Sequence, residues 1–450
     1  MIISDIKMNI IIKTKKFISK QIIDIKTYGT IELIRKLYLL IKILARIPID
    51  IIAIVPCVII RLISSWIIVR IERFPCGNFG DNAQIPALYH CKKKLKIDLP
   101  KKRYLDFVYI HYNEKVYNRQ LVKMWKKKFN FISGYLLDPI NRVNKLIPGW
   151  QTHAIGIMSF KREHDVDNLI EKYQPLDFTN EEEIYGKKML NKFGLEDGDK
   201  FVCLAVRDSA YEQKKISSRY RDWSYHKYRN HDIDHFVLAA EELTRKGYHV
   251  FRMGVVVNKP FNSNNPKIID YANSKLRSDF MDVYLGAKCS FCISTGFGFD
   301  FVPYIFRKPI VLMSLPVGDL RTYSEQFLLM TKHHILKKEK RKLSLSEIFS
   351  HGVAYAYDGK IYEQKGIELV DYTPEDIKDI AIEMVENLEI GKKLNPKDEE
   401  LQKTFKSLLA YNIKRIDYHK EVNSPYHKFH GQIRSRFSAK FLRENKNWLR

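Results

Sequence analysis

Ser294-Thr295-Gly296-Phe297-Gly298 lies between the short apolar run "FCIS" and a helix-forming stretch that returns into a second apolar run, "FRKPIVLM". A strand, a glycine-punctuated turn and a helix start can together hold an anion. Amides gather at the positive end of the helix. Gly296 and Gly298 leave room beside the backbone, while Ser294 and Thr295 can cap the helix or donate to phosphate oxygens. The structural alternative is a Ser/Thr N-cap with packing glycines. Two arginines end neighbouring strand patterns: Arg207, with Asp208 and Ser209, follows "KFVCLAV", and Arg252, with Gly254 beyond it, closes "YHVFRMG". Arginines at strand ends facing a helix start suit bidentate capture of a diphosphate. Ion pairs with Asp208, Asp270 or Asp282 are their alternative use.

Other chemistries lack their motifs. GxxxxGK[ST] is absent and "GFG" does not complete GxGxxG, which argues against a P-loop NTPase and a dinucleotide dehydrogenase. No HExxH, GxSxG or clustered metal-ligand spacing occurs. Cys289 and Cys292 have CxxC spacing, but an offset of three in a strand sends the two sulfurs to opposite faces. "KHHILKKEKRK" (332–342) is a basic cluster expected as a solvated loop or helix face, phosphate or membrane contact being the alternative, with His333 and His334 at the surface.

A sheet must place these residues. "WIIVRIERF" and "YLDFVYI" are strand-like and alternate with the helical "PALYHCKKKLK" and "QLVKMWKKKF", whose apolar face is Leu121, Met124 and Trp125. "GLEDGD" (194–199) breaks the pattern and sets a domain boundary. After it come the buried-type strand "KFVCLAV", a helix with Ile233, Phe236, Val237, Ala240 and Leu243 at helical spacing, and a stop at Gly247. "YHVFRMG", "IIDYA", "CSFCIS" and "FRKPIVLM" continue the strands, with "DFMDVYLGA" as a helix. The alternation predicts an α/β chain with two Rossmann-like units in tandem and a cleft between them, ligands binding beyond the carboxyl ends of the strands.

At 450 residues the chain has room for two or three domains, and 77 Lys+Arg against 52 Asp+Glu leave a formal charge of +25. Such a balance points to a phosphate-bearing ligand or an acidic membrane surface; without a C2H2 or RNP signature, no nucleic-acid partner is expected. The six cysteines are scattered in apolar surroundings, as buried thiols of a reducing compartment would be. Near the N-terminus, "TIELIRKLYLLIKILARI" sets Leu33, Leu37, Leu40, Ile41 and Leu44 on one stripe with Arg35, Lys36, Lys42 and Arg46 around it, an amphipathic basic helix. The apolar stretch after it is cut by Pro48, Asp50, Pro56 and Arg61. It is therefore expected to lie on the cytoplasmic leaflet rather than to span the membrane, a helical cover on the first domain being the alternative. No small-residue cleavage site follows.

The blocks "FVCLAVRDSAY", "YRNHDIDHFVLAAEELTRKGYHVFRMG", "SDFMDVYLGAKCSFCISTGFGFDFVPYIFRKPIVLMS" and "FLRENKNWLR" resemble a family of bacterial glycosyltransferases. The resemblance is dense between 200 and 315 and thinner before 195. It implies a GT-B-like architecture, two Rossmann-like domains facing across a cleft, with these bounds: a membrane-associating segment at 1–64, an acceptor domain at 65–195, a nucleotide-sugar donor domain at 196–420 and a helical tail at 421–450. It also implies metal-independent catalysis, with no cofactor besides the nucleotide-sugar as donor substrate. Around the donor it places Arg207, Asp208, Ser209, Tyr228, Arg229, Asn230, Arg252, Gly254, Ser294, Thr295, Gly296 and Gly298. The family tends to carry a Gly-His pair after its first strand; here Gly77-Asn78 stands in "CGNFGDN".

The implied reaction is sugar transfer to a lipid-linked or glycan acceptor in surface polysaccharide or lipopolysaccharide synthesis, on the inner face of the cytoplasmic membrane. Arginines, amides and a helix start would neutralise the leaving diphosphate. A general base must take the acceptor proton: Asp81 is the nearest carboxylate to the departed histidine position, and Asp208 is the alternative. "GNFGDN" is also similar to the first turn of polysaccharide pyruvyl transferases, which use phosphoenolpyruvate. A catalytically degenerate, membrane-bound scaffold is the third reading.

Overall fold

The computed structural model describes residues 2–156, 165–210, 224–389, 395–415 and 431–450, with side chains described from Gly29 onward except at 224–226. The first part of the expected 421–450 tail, to residue 430, and the end of "FVCLAVRDSAY" lie outside the described residues. In chain order the first elements are α1 (Ile2–Leu62), β1 (Ile68–Arg73), α2 (Phe79–Leu95), β2 (Tyr104–Tyr109), α3 (Arg119–Lys126), β3 (Asn130–Phe131) and α4 (Gly134–Leu146). The later strands are β4 (Lys200–Ala205), β5 (Tyr248–Arg252), β6 (Ile268–Ile269), β7 (Phe291–Ser294), β8 (Ile310–Met313), β9 (Phe327–Met330), β10 (His333–Leu336), β11 (Arg341–Lys342), β12 (Ile367–Val370) and β13 (Arg436–Phe437).

Contacts divide the chain into two units. The smaller comprises Met1–Ile71, Lys102–Tyr109 and Ile132–Ile155. Its α1 is broken at Gly29, where φ is 69° and ψ −156°, and continues through Pro48 and Pro56. The C-terminal part of α1 buries Ala53, Cys57 and Ile60 against Leu137, Ile140 and Val143 of α4, with Ile71 and Tyr109 completing the core. Two polar pairs cross this contact: Arg142 of α4 donates to Asp50 at 2.6 Å, and Arg61 donates to Asn144 Oδ1 at 2.6 Å. Arg70 and Asp106, both buried, pair at 2.8 Å.

The larger unit comprises Glu72–Lys101, Ile110–Phe131 and Gly156–Arg450; the boundary expected near 194–199 falls inside it. It is built on a seven-stranded sheet of order β13-β9-β8-β7-β4-β5-β6, every pair parallel. Phe201 to Ala205, Phe291 to Ser294 and Ile310 to Met313 are buried throughout, as strands covered on both faces must be. The chain winds outward from β4 through β5 to β6, then returns to the other side of β4 with β7 and continues through β8 and β9. α3 buries Leu121, Met124 and Trp125 and is capped by Asn118, whose side chain accepts from Leu121 N. All six cysteines are free thiols and buried.

The basic cluster at 332–342 departs in part from expectation. Lys337 to Lys342 are exposed, as expected, but the cluster forms β10 and β11 of a small antiparallel sheet of order β11-β10-β12. Lys332 and His334 are buried there, at 4% and 1% exposure. Alternation along a strand accounts for this, since His334 points inward while its neighbours point out.

Burial of histidines gives the fold a pH dependence. Desolvation holds His90 down to about 4 and His334 down to about 3. In the unfolded chain a histidine titrates near about 6.5. Below that value the unfolded state binds more protons, so stability falls as pH falls through this window. Asp282, pushed up to about 6 by burial, works in the opposite sense below that value. The expected outcome is a Tm that drops between about pH 7 and pH 4.5, with a smaller drop in a His90→Gln/His334→Gln variant, read by thermal unfolding across pH.

Candidate functional site

The winding of the larger sheet reverses between β4 and β7, and in sheets of this kind the ligand crevice opens outside the carboxyl ends of the strands at that reversal. Ala205 faces Ser294 at the last rung of the pair. Beyond it Thr295 N donates to Ala205 O at 3.1 Å and Arg207 N donates to Thr295 Oγ1 at 2.8 Å. Arg207 and the Thr295-Gly296 turn therefore leave the sheet side by side. The 3-10 segment Ser224–Arg229 brings a guanidinium to the turn, with Arg229 donating to Gly296 O, and His231 N donates to Arg207 O at 3.0 Å. Arg207, Tyr228, Arg229, Asn230 and the 294–298 turn thus lie together at one sheet edge.

The turn itself does not work as expected. Gly296 N donates to Ser294 Oγ at 3.1 Å, Phe297 N to Asp300 Oδ2 at 3.1 Å, and Ser294 Oγ to Asp300 Oδ2 at 2.9 Å. These donors hold the loop in shape. The α-helix that follows, Phe301–Ile305, is too short to build up a macrodipole. The glycine space is also occupied. Gly296 has a φ of 83°, and a Cβ there would lie 2.9 Å from Ser314 Cβ; a Cβ on Gly298 would lie 2.8 Å from Gly80 N. At Gly254 a Cβ would lie 2.7 Å from Val257 Cγ1. The glycines admit other parts of the chain, and a sequence shows the gap without showing what fills it.

Arg252 is likewise inside the protein, at 1% exposure. It donates to Asp270 Oδ1 at 3.1 Å and lies 3.8 Å from Asp208 Oδ2. Asp208 in turn accepts from Ala210 N at 3.0 Å and Asn258 N at 2.9 Å, and Ser209 Oγ accepts from Asn258 Nδ2 at 3.1 Å. Arg252 thus takes the ion-pair use that was its alternative, and Asp208 and Ser209 brace the chain beside it.

Lys332, just past β9, takes a place at the edge that the sequence reading did not give it. Its ammonium donates to Tyr228 O at 3.0 Å and Asn230 O at 3.4 Å, straddling Arg229, and pairs with Asp371. Burial lowers its pKa, with Asp371 opposing. His231, stacked on Tyr372 at 5.4 Å, is held well below its usual pKa by burial and then by Lys332, His235, Arg229 and Arg207. Asn230 Oδ1 is buried there without a hydrogen-bond partner among the described residues.

The "GNFGDN" loop forms the neighbouring feature. α2 starts at Phe79 with Asn78 in the cap position, and Asn78 Nδ2 donates to Asp81 Oδ2 at 3.0 Å. Asp81 therefore lies in the first turn of α2. A cavity of about 180 Å³ is lined by Arg73, Phe74, Pro75, Gly77, Asn78, Asp81 and Glu114. Glu114 accepts from Arg73 Nε at 2.9 Å, and burial, with Glu114 beside it, pushes the Cys76 thiol up to about 12. Glu114 is a second carboxylate at this pocket; far from Gly77 in sequence, it carried no local signal. The start of α2 packs on the turn after β7: Gly80 meets Gly298, and Phe79 stacks on Phe299 at 6.2 Å. A larger cavity, about 580 Å³, is lined by Pro309, Gln326 and Phe327 at the opposite, amino-terminal edge of the sheet. Among the described residues no group of three or more His, Cys, Asp or Glu side chains is arranged to hold a metal.

No family model matches the chain, and no curated protein matches it. Solved structures do show likeness. A glycosyl transferase of family 9 from Veillonella parvula is 13% identical, covering 71% of this chain and 97% of its own, with a TM-score of 0.40. The ADP-heptose LPS heptosyltransferase II of E. coli is 12% identical, covering 70% and 98%, at a TM-score of 0.38. The dodecameric, iron-containing heptosyltransferase TibC of enterotoxigenic E. coli, in complex with ADP-D-beta-D-heptose, is 12% identical, covering 71% and 78%, at 0.34. Likeness at this distance transfers neither activity nor substrate.

Two substitutions test this account of the site's frame. Gly298→Ala forces a methyl against the Gly80 backbone and is expected to cost about 1–3 kcal/mol. Arg252→Leu leaves Asp270 and Asp208 without their buried cation and is expected to cost about 3–5 kcal/mol. Urea denaturation measures both.

Proposed function

We propose that this chain is a metal-independent glycosyltransferase that moves a sugar from a nucleotide-sugar to a lipid-linked or glycan acceptor in surface polysaccharide or lipopolysaccharide synthesis, at the inner face of the cytoplasmic membrane. The observation that carries the reading is the reversal of the parallel sheet at β4 and β7 with Arg207 and Arg229 beside it. A diphosphate placed there meets two guanidiniums, with Lys332 holding the backbone on either side of Arg229. Charge that develops on the leaving group is stabilised by cations already in position. Asp81, in the adjoining pocket, takes the acceptor proton, and Asn78 holds its carboxylate through one oxygen and leaves the other for the acceptor hydroxyl.

Thermal shift against UDP-, GDP-, CDP- and TDP-linked compounds and phosphoenolpyruvate, with and without magnesium, tests this reading. One nucleoside diphosphate at about 100 times its Kd is expected to add about 2.7 kcal/mol, independently of magnesium and not in Arg207→Ala or Arg229→Ala. Stabilisation by phosphoenolpyruvate alone supports the pyruvyl transferase reading, and nucleotide affinity without turnover supports the scaffold. Asp81→Asn is expected to lower turnover by about 10²–10⁴-fold with donor affinity kept. Intact turnover would remove Asp81 and move the role to Glu114.

A further inference from the structure

The smaller unit carries a surface that the reaction does not use. From Gly29 onward α1 exposes large apolar side chains along its length, including Ile52 and Leu62 at 72% each. At about 100° per residue, Leu37, Leu44, Ile51, Val55, Val58 and Leu62 fall in a stripe about 60° wide, and all six are exposed. Exposed Ile41, Ile52 and Ile59 widen it to about 120°. Every charged residue from Glu32 to Arg61 falls outside this sector. The two charges in the part of the helix that packs on the unit are turned inward, Asp50 onto Arg142 and Arg61 onto Asn144. Asp50 and Arg61, which interrupt the apolar run in the sequence, therefore leave its outer surface unbroken.

We infer that the exposed apolar surface of α1 from Gly29 onward is embedded in the acyl region of a lipid bilayer. The stripe from Leu37 to Leu62 runs for about 38 Å at 1.5 Å per residue. Arg35, Lys42 and Arg46 lie on the opposite side of the helix, about 140–180° from the middle of the sector, and Arg35 and Lys36 pair with Glu32. A second copy of the chain fits less well, because a two-stranded seam needs only the narrow stripe and would leave its flanks exposed. This inference stands apart from the transferase reading, since nothing in it depends on a donor.

Flotation of the full-length protein with phosphatidylglycerol–phosphatidylethanolamine vesicles tests it. Binding is expected to persist in about 1 M sodium chloride, where the Debye length is about 3 Å. Ile52→Lys/Ile59→Lys, both at exposed positions, is expected to lower the bound fraction at least about tenfold. Ile184→Lys, exposed in the other unit, is expected to change nothing, and circular dichroism confirms that each variant is folded. Full release by salt would overturn the inference, leaving electrostatic adsorption only. So would unchanged binding of the double lysine variant, or a detergent-free dimer that does not float.

Discussion

Gly80 and Gly298 meet backbone to backbone, and the candidate site depends on that approach. A methyl group on either residue would come within about 3 Å of the other's main chain, closer than Cβ atoms pack. The contact seats the first turn of α2, with Asn78 and Asp81, against the turn that leaves β7. It explains why the glycine-rich turn has its own amides bonded internally: the turn is a rigid platform. In the proposed reading the anion chemistry falls instead to Arg207 and Arg229, beside the turn.

Behind these two arginines the charges are arranged as a brace. Arg252 joins Asp270 and Asp208 under the edge, while Lys332 ties the carbonyls of Tyr228 and Asn230 to Asp371. Buried cations of this kind contribute little net stability, but they fix geometry. Lys332 holds both neighbours of Arg229, so that guanidinium is presented by a backbone pinned on each side.

Much of the sheet was legible in the sequence because strands covered on both faces are written as unbroken apolar runs, "KFVCLAV" and "CSFCIS" among them. The residues at the ends of those runs were found for the same reason. Their roles were harder to read. Nothing local separates Arg207, at the edge, from Arg252, beneath it; the difference lies in Asp270, which another strand delivers. Lys332 was hidden by its neighbours, since a run of lysines and histidines looks solvated until strand alternation turns alternate members inward. Glu114's place at the pocket left no trace, and the glycines at 80 and 298 did not show that they meet, because each contact joins segments far apart in the chain.

Hydrogen exchange of the full-length protein, with and without the nucleoside diphosphate that stabilises it, tests the central claim most directly. The account predicts slowed exchange confined to the carboxyl edge around the sheet reversal, at 205–210, 228–232 and 294–298, with the amino-terminal edge near Pro309 and Phe327 unchanged. Protection centred on that opposite edge, or none at 228–232, would contradict it.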